Sequence, residues 1–337
     1  MKDLNYLINN NFIRPTGKNI QGFDTFLRIK DNSKMVLIPE GEFIAGTLIE
    51  DALNIEELVP WYKATKVESP QWKPFLERYL IDLNTITNKQ FSLFLNSIKY
   101  TIFHDANLNN CRSALSGDDK ILCYDIDNFI NNRNIPNSEH KVGVTYLNKN
   151  WMPFPNSENC PVTLITWYGA VAYAKWVNAE LPSELQWEKA ARGIDGRHFP
   201  WGNEYQSSIA NLADFWHGDK INNQSEWDNL FYLNGKGVGW LKSRPVENGS
   251  FPLSISPYGC EDMIGNVAEW CFNWYEDSAY QDYNLDKIDY VPKQSESEFR
   301  CMRGAGRYGY EVISRIACRR RRAPHTVGEN LGFRCII

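Results

Sequence analysis

Residues 258–270 read YGCEDMIGNVAEW, and the rest of the chain is organised around them. The stretch holds two carboxylates, Asp262 and Glu269, on either side of Gly265. Carboxylates on an irregular turn, with backbone carbonyl groups between them, are typical ligands of a hard cation such as calcium. A loop whose acidic side chains simply face water fits the same spacing. The spacing alone favours this second interpretation.

Two further motifs accompany this stretch. LPSELQWEKAARG occupies residues 181–193 and is followed by FPWG, and NLGFRC occupies residues 330–335. Together with GNVAEW at 265–270, these motifs resemble the signatures of the formylglycine-generating-enzyme (sulfatase-modifying-factor) superfamily in order and approximate spacing. The resemblance extends from about Met35 to the last residue.

The resemblance implies an irregular α+β domain of the C-type-lectin-like fold, with short strands, few helices and much loop. We expect a single domain over residues 31–337, preceded by an N-terminal extension at 1–30 that packs on the domain or stays loose. Insertions are expected near 47–70, which is acidic, and near 101–159, which is rich in Asn, Asp and Ser. A loop as long as the second is uncommon, so that insertion is either functional or contains short elements.

Local patterns predict several elements. Two helices are predicted from capping boxes, in which a Ser or Thr N-cap is followed by Gln at the third helical position. These boxes pair Thr87 with Gln90 and Ser183 with Gln186. A third helix is predicted after Trp167 from apolar residues at helical spacing. The predicted strands are a strand–turn–strand unit at 35–43 and single strands at 79–83, 299–303 and 313–322.

Composition limits the partners of this 337-residue chain. Its formal charge of -5 and abundant aromatic residues, 12 Trp, 17 Tyr and 17 Phe, suit a packed core and argue against a general nucleic-acid binder. No apolar run approaches the roughly 18 residues of a membrane span. The first residues lack the pattern of a secretory signal. We therefore expect a cytoplasmic protein without nucleic-acid or membrane partners.

Eight cysteines would suit four disulfides in a secreted protein. Without an export signal, reduced thiols are the expected state. The resemblance supports this expectation, because secreted members of the family pair the counterparts of Cys318 and Cys335 with cysteines on two helices. Here those two helix positions hold Ala174 and Ala191. Cys318 and Cys335 should both be free.

The copper site of the family has no counterpart in this sequence. In formylglycine-generating enzymes, two cysteines between an R-x-G-G-S motif and NLGFR bind copper and activate oxygen on a C-x-P-x-R peptide. Here residues 303–318 read RGAGRYGYEVISRIAC, with Gly306 at the motif's serine. The cysteine positions fall near Tyr308 or Gly309 and near Ile313. Because Cu(I) prefers thiolate ligands, sulfatase activation is not expected.

Polar and aromatic residues remain where the family carries out its chemistry. Tyr308, Tyr310, Glu311 and His325 are the predicted catalytic residues. Glu311 and His325 can act as acid and base or as two ligands of a metal. Taken singly, each residue is more often non-functional: Glu311 would be solvated, and His325 would be a turn residue after Pro324.

Arginines are the predicted ligand-binding residues: Arg307, Arg319 and Arg321. In a strand, Arg319 and Arg321 would face one side and Arg320 and Arg322 the other. One pair is expected to form salt bridges inside the domain. The other pair would meet an anionic or carboxylate ligand, which the guanidinium fork suits.

The resemblance also implies structural calcium. At the first site the predicted ligands are the side chains of Asp262 and Glu269 and the carbonyl groups of Gly265 and Val267. The second site would begin with the Asn211 side chain and the Leu212 carbonyl group. Its acidic ligand is undetermined among Asp228 and its neighbours.

The leading functional expectation is an oxidative tailoring enzyme that acts on a small molecule or peptide without the copper–thiolate site. Iron or copper held in another way is the redox cofactor that this reaction would need. A histidine-rich iron site like that of the ergothioneine-type members is not expected, because the five histidines are widely spaced. The alternative is a non-enzymatic ligand-binding module, as in receptor and hypervariable members of the family.

Overall fold

A computed structural model describes residues 4–102, 111–112, 121–126, 142–232, 243–282 and 298–337. Within these ranges the chain forms short helices and short strands joined by long loops, which confirms the predicted α+β class. None of the helices in these ranges has both the length and the apolar content that a membrane span requires.

The elements alternate along the chain. The helices are α1 (Leu4–Asn9), α2 (Ile49–Leu58), α3 (Ala64–Val67), α4 (Asn88–Ser97), α5 (Trp167–Trp176), α6 (Glu184–Arg192), α7 (Ala213–His217), α8 (Gln224–Tyr232) and α9 (Ala279–Asp282). The strands are β1 (Ile13–Lys18), β2 (Asp24–Arg28), β3 (Lys34–Ile38), β4 (Gly41–Glu42), β5 (Phe75–Leu76), β6 (Tyr79–Asp82), β7 (Thr101–Ile102), β8 (Cys111–Arg112), β9 (Val144–Leu147), β10 (Asn150–Pro153), β11 (Ala268–Trp274), β12 (Arg300–Arg303), β13 (Arg320–Arg322) and β14 (Leu331–Gly332).

The N-terminal segment is part of a four-stranded sheet with the order β1-β2-β3-β6. β2 and β3 are antiparallel, with Phe26 opposite Met35. Leu7 of α1 and Ile13 of β1 are buried in the same cluster. The residues described before position 30 therefore pack on the domain, and the boundary predicted there runs through a sheet.

Local capping signals give the correct helix starts. The capping boxes of Thr87 with Gln90 and of Ser183 with Gln186 are both formed, at the N-termini of α4 and α6. Each N-cap contributes about 1 kcal/mol to helix stability. The predicted third helix is α5, and the predicted strand pair at 35–43 forms β3 and β4. These predictions are confirmed because each depends on neighbours in sequence.

The second four-stranded sheet has the order β13-β12-β11-β14. β11, which continues the stretch 258–270, is antiparallel to β12, with Trp270 opposite Met302. It is parallel to β14, with Glu269 opposite Gly332. The sheet therefore brings the GNVAEW and NLGFRC motifs side by side.

The strand predicted at 313–322 is wrong over most of its length. Glu311–Ser314 is a 3-10 helix, and β13 covers only three residues. The Arg315 Nε atom donates to the Val312 carbonyl oxygen at 2.9 Å and closes the turn. Residues 313–322 read ISRIACRRRR, and this mixture of apolar and charged residues does not distinguish a strand from a turn.

The acidic insertion near 47–70 forms α2 and α3 and packs into the core. Val59 is buried in one cluster with Tyr310. The carboxylate of Glu68, which is fully buried, accepts hydrogen bonds from Arg315 at 2.7 and 2.9 Å. The insertion is thereby fixed to the segment in which the family carries its cysteines.

The second predicted insertion, near 101–159, is described only in part. β9 and β10 form a two-stranded antiparallel sheet at its C-terminal end. Residues 103–110, 113–120 and 127–141 lie outside the described residues.

The cysteines support the expectation of reduced thiols. Each cysteine whose side chain the structure describes is buried and forms no disulfide, and Cys318 and Cys335 are among them. Ala174 and Ala191 occupy the expected partner positions as buried alanines. Burial raises the pKa of Cys335 well above that of an ordinary thiol. Its neutral form is therefore favoured at physiological pH.

Candidate functional site

The stretch 258–270 folds into an irregular turn that leads into β11. Asp262, Gly265 and Asn266 have φ angles of 53°, 90° and 59°. At Gly265, a Cβ atom would also meet the Asn211 carbonyl oxygen at 2.9 Å. Both the conformation and this close approach require glycine. The Asn266 N–H donates to the same carbonyl oxygen at 2.9 Å, which fixes the turn against Asn211.

Glu269 forms a buried ion pair with Arg334. The Arg334 Nε and Nη2 atoms donate to the two carboxylate oxygens at 2.7 and 2.9 Å. The other bonds of this guanidinium go to the carbonyl oxygens of Asp82, Leu83 and Glu261, at 2.9–3.0 Å. Burial acts to lower the pKa of Arg334, but the Glu269 carboxylate raises it above its usual value. The pair links the GNVAEW motif to the NLGFRC motif, which lies some sixty residues later in the chain.

Asp262 is also buried but has weaker partners. Its carboxylate accepts from the Gly249 N–H at 3.2 Å and from the Asn266 Nδ2 atom at 3.4 Å. Burial raises the pKa of Asp262 to about 6. A buried carboxylate with so few donors is costly unless it is protonated or meets a cation.

These contacts determine how far the predicted first calcium site fits. Asp262 fits a hard cation, and the carbonyl groups of Gly265 and Val267 belong to the same turn. Glu269 does not fit in this arrangement, because Arg334 occupies both of its oxygens. Calcium at this turn therefore stays a prediction, with Asp262 as its best-supported ligand.

The predicted second site has a different arrangement. The Asn211 side-chain oxygen accepts from the Trp216 Nε1 atom at 2.5 Å, and its Nδ2 atom donates to the Arg244 carbonyl oxygen at 3.0 Å. Leu212 is the N-cap residue of α7. Asp228 is exposed on α8 and accepts from a glutamine of the same helix. Asn211 thus links two loops through contacts with protein groups.

A cleft of about 790 Å³ opens between β13, α8 and the insertion 47–70, and we call it the basic–aromatic cleft. Its aromatic lining residues are Trp61, Tyr62, Trp227, Tyr275, Phe299 and Tyr308. Its charged lining residues are Lys63, Lys66, Asp277, Arg319, Arg320, Arg321 and Arg322. Met302, Ile313, Ala323 and Thr326 add to its walls.

Two of the predicted ligand-binding arginines line this cleft, and both form ion pairs. Arg319 is buried and donates to the two oxygens of Glu184 at 2.7 and 2.8 Å. Arg321 is exposed and donates to Asp277 at 2.8 Å. Only the Arg319 pair is internal, since the Arg321 pair is exposed, and the alternation of facing sides stays a prediction.

The third predicted arginine lies behind the cleft wall. Arg307 is buried and donates to the Tyr308 hydroxyl oxygen at 2.5 Å and to the Glu329 carbonyl oxygen. Tyr308 lines the cleft, and burial raises its pKa to about 12 although Arg307 opposes this. Tyr310 is buried, and its hydroxyl donates to the Gln224 Oε1 atom at 3.1 Å. Arg307 and Tyr310 hold cleft residues in place.

The predicted acid and base are not among the residues that line the cleft. Glu311 forms a salt bridge with Lys220 at 2.5 Å. His325 is exposed in the turn after Pro324. The structure gives neither residue a role in the cleft, so the catalytic assignment of this pair stays a prediction without geometric support.

The positions that face each other beside the cleft are Gly309 and Ser314. A Cβ atom on Gly309 would lie 2.5 Å from the Ser314 Oγ atom and closer still to the Ala305 Cβ atom. The sequence had placed the second cysteine position near Ile313, one residue earlier. Neither facing position carries a thiol, and Ala305 leaves no room for a side chain at Gly309.

A redox metal finds no ligand cluster in the described chain. Within the described ranges, no group of three or more His, Cys, Asp or Glu side chains could hold a metal ion. Iron or copper therefore stays a prediction for which the described residues supply no ligand cluster.

Several cleft residues were missed by sequence reasoning. Trp61, Lys66 and their neighbours belong to the insertion whose role the sequence did not reveal, and Trp227 belongs to α8. Trp61 is 59% exposed, and its Nε1 atom donates to Gln224 at 2.9 Å. The Trp227 Nε1 atom donates to the Tyr308 carbonyl oxygen at 2.7 Å. The one sequence signal for this wall of the cleft was the aromatic pair Trp61 and Tyr62 in the acidic, Pro-containing segment 47–70.

Comparison with known proteins gives consistent matches. The family model described as "Sulfatase-modifying factor enzyme 1-like domain" matches residues 24–337. YfmG of Bacillus subtilis (strain 168) is 28% identical over 306 residues, which cover 90% of this chain and 54% of YfmG. The formylglycine-generating enzyme of Mus musculus is 28% identical over 316 residues, which cover 90% of this chain and 74% of that enzyme. The chain thus spans about half the length of YfmG.

Among solved structures, PvdO from Pseudomonas aeruginosa is similar, with a TM-score of 0.59 and 18% identity. The match covers 93% of this chain and 97% of PvdO. At this identity the likeness shows the fold alone.

Proposed function

Because this chain belongs to the sulfatase-modifying factor enzyme 1-like domain family, we propose that it binds a small molecule or short peptide in the basic–aromatic cleft. The observation that supports this function most is the position of the cleft. Tyr308 and Ile313 line it, and Gly309 and Ser314 lie beside it, where the resemblance locates the family's chemistry. A concave site with apolar walls and a few polar groups is the default binding site of a protein.

Oxidative tailoring of the bound molecule is the second candidate. It is favoured by the likeness to the mouse formylglycine-generating enzyme and by the Tyr308 hydroxyl, which Arg307 holds in the cleft wall. A neutral phenol can donate a proton or a hydrogen bond to a ligand. Recognition without chemistry has the more direct support, because it requires only the apolar and charged groups that line the cleft.

A thermal-shift screen tests the binding function. We expect members of a panel of small molecules and short peptides to raise the melting temperature of the wild type. Ala323→Trp should remove these shifts, because it fills the cleft from its lining. Ile20→Trp is the matched control, since Ile20 is 99% exposed and lies outside the lining. Hits that persist in Ala323→Trp would place binding elsewhere and contradict the proposal.

Mass spectrometry and metal analysis separate the two candidates. Conversion of a cleft ligand, with about one equivalent of iron or copper in the purified protein, would establish tailoring. Binding of the unchanged ligand by metal-free or calcium-loaded protein would establish recognition alone.

A further inference from the structure

The arginine strand forms one wall of the basic–aromatic cleft. β13 is an edge strand of its sheet, and Arg320 lies opposite Met302 of β12. Met302 lines the cleft. Because side chains alternate along a strand, Arg320 and Arg322 share one side of β13. Their guanidinium groups are therefore two neighbouring charges in one wall.

The acidic residue of the cleft lining is bound to other cations. Asp277, the acidic residue of the cleft lining, accepts from Lys66 at 3.0 Å and from Arg321 at 2.8 Å. Among the described residues, Arg320 and Arg322 form no ion pair. The hydrogen bond of Arg320 goes to the Ile313 carbonyl oxygen at 3.2 Å. In a chain with a net charge of -5, the cleft is a local concentration of positive charge.

This arrangement has a cost that a bound anion would offset. The pKa of Arg322 is lowered, first by its partial burial and then by the neighbouring charge of Arg320. Arg300, opposite Arg322 on β12, adds a further positive charge to this part of the sheet. A guanidinium pair matches the geometry of a carboxylate or phosphate group.

Exposed charges on an edge strand also have a simpler role, since they prevent pairing with a second sheet. That role requires only solvent around the side chains. Here the arginines share a concave surface with Trp61 and Trp227, which come from two other segments. Trp61 is largely exposed although it is apolar over most of its surface, as expected of a side chain that stacks on a ligand.

We infer that the ligand of the basic–aromatic cleft is an anion with a flat apolar part. Its carboxylate or phosphate group is bound by Arg320 and Arg322, and its ring packs against Trp61 and Trp227. This inference rests on the proposed binding function and names its ligand class. It also predicts that an arginine-bearing peptide such as C-x-P-x-R is repelled by the same wall.

Probes of one shape and different charge test the inference. Tryptophan fluorescence at low ionic strength would give the dissociation constants of 2-naphthoate, 2-naphthyl phosphate, 2-naphthamide and 2-naphthamidine. We expect the two anions to bind at least about tenfold more tightly than the amide, because charged hydrogen bonds are the stronger ones. The amidine should bind most weakly. The tighter of the two anions identifies the group as phosphate or carboxylate.

The double variant Arg320→Gln/Arg322→Gln should bind the anions and the amide equally. Arg14→Gln/Arg78→Gln is the matched control, because it removes two exposed arginines that lie outside the cleft lining, and its tenfold preference should remain. Melting curves of both variants test for folding.

Three results would overturn the inference: no binding of the anions, equal binding of amide or amidine by the wild type, or an anion preference that survives in Arg320→Gln/Arg322→Gln. Cleft-dependent hits of neutral or cationic charge in the thermal-shift screen would leave the binding function standing. If every compound that stabilises the wild type stabilised Ala323→Trp equally well, the proposed binding function itself would be contradicted.

Discussion

Replacing Arg315 by alanine is expected to lower the free energy of unfolding by about 3–5 kcal/mol. The Glu68 carboxylate would remain fully buried and lose two hydrogen bonds of 2.7 and 2.9 Å. The Thr47 hydroxyl, which donates to Glu68 at 2.7 Å, does not supply a charge. Chemical denaturation at pH 7 would measure the loss.

The pH dependence of this stability loss tests whether the Glu68 carboxylate causes it. Burial acts to raise the pKa of Glu68, but Arg315 lowers it below its ordinary value. A carboxyl group with a lowered folded-state pKa stabilises the fold above its unfolded pKa of about 4.3, and this contribution is lost as the pH falls. The deficit of Arg315→Ala should therefore be largest near pH 7 and shrink in acid.

Two further variants serve as controls for this prediction. Arg321→Ala removes the exposed ion pair with Asp277 and should cost no more than about 1 kcal/mol. The double variant Glu68→Leu/Arg315→Met should regain much of the loss, because no unpaired charge remains in the core. A loss below about 1 kcal/mol in Arg315→Ala would mean that the insertion 47–70 does not pack as described.

Glu269→Ala is expected to have an equally large effect, about 3–5 kcal/mol, with or without calcium. The variant leaves the Arg334 guanidinium buried, with only carbonyl groups as acceptors. Glu40→Ala, at an exposed position, should change stability by less than about 0.5 kcal/mol. A mild Glu269→Ala phenotype in chelator would contradict the ion pair.

Calcium is expected to stabilise the same turn independently of the Glu269–Arg334 ion pair. If Asp262 and the neighbouring carbonyl groups bind calcium, the wild type should gain about 2.7 kcal/mol at a hundredfold excess over Kd. Asp262→Ala should remove this gain. A melting curve that chelator leaves unmoved would show that internal hydrogen bonds hold the turn and would end the calcium prediction.

The fold was predictable from the sequence where the signals are local or where motifs carry them. The capping boxes at Thr87 and Ser183 place two helices, and the GNVAEW and NLGFRC motifs place the sheet that joins them. The segment after Tyr310 was misread, because its apolar residues suit a strand as well as a 3-10 turn.

The site was less predictable because its contacts are long-range. Glu68 and Arg315 are 247 residues apart in sequence, and no local pattern in the insertion indicates that Trp61 lines the same cleft as β13. The sequence identified the arginine run but not which pair would find carboxylates. In the structure Glu184 binds Arg319 and Asp277 binds Arg321, and all four arginines line the cleft.

We expect the chain to keep the fold of its family without the copper–thiolate chemistry of formylglycine-generating enzymes. Mass spectrometry of a C-x-P-x-R peptide incubated with the protein, copper and oxygen tests it most directly, with the mouse formylglycine-generating enzyme as the positive control. We predict no formylglycine from this protein, because the expected cysteine positions, near Tyr308 or Gly309 and near Ile313, offer Cu(I) no thiolate. Formation of the aldehyde at more than trace turnover would contradict the claim.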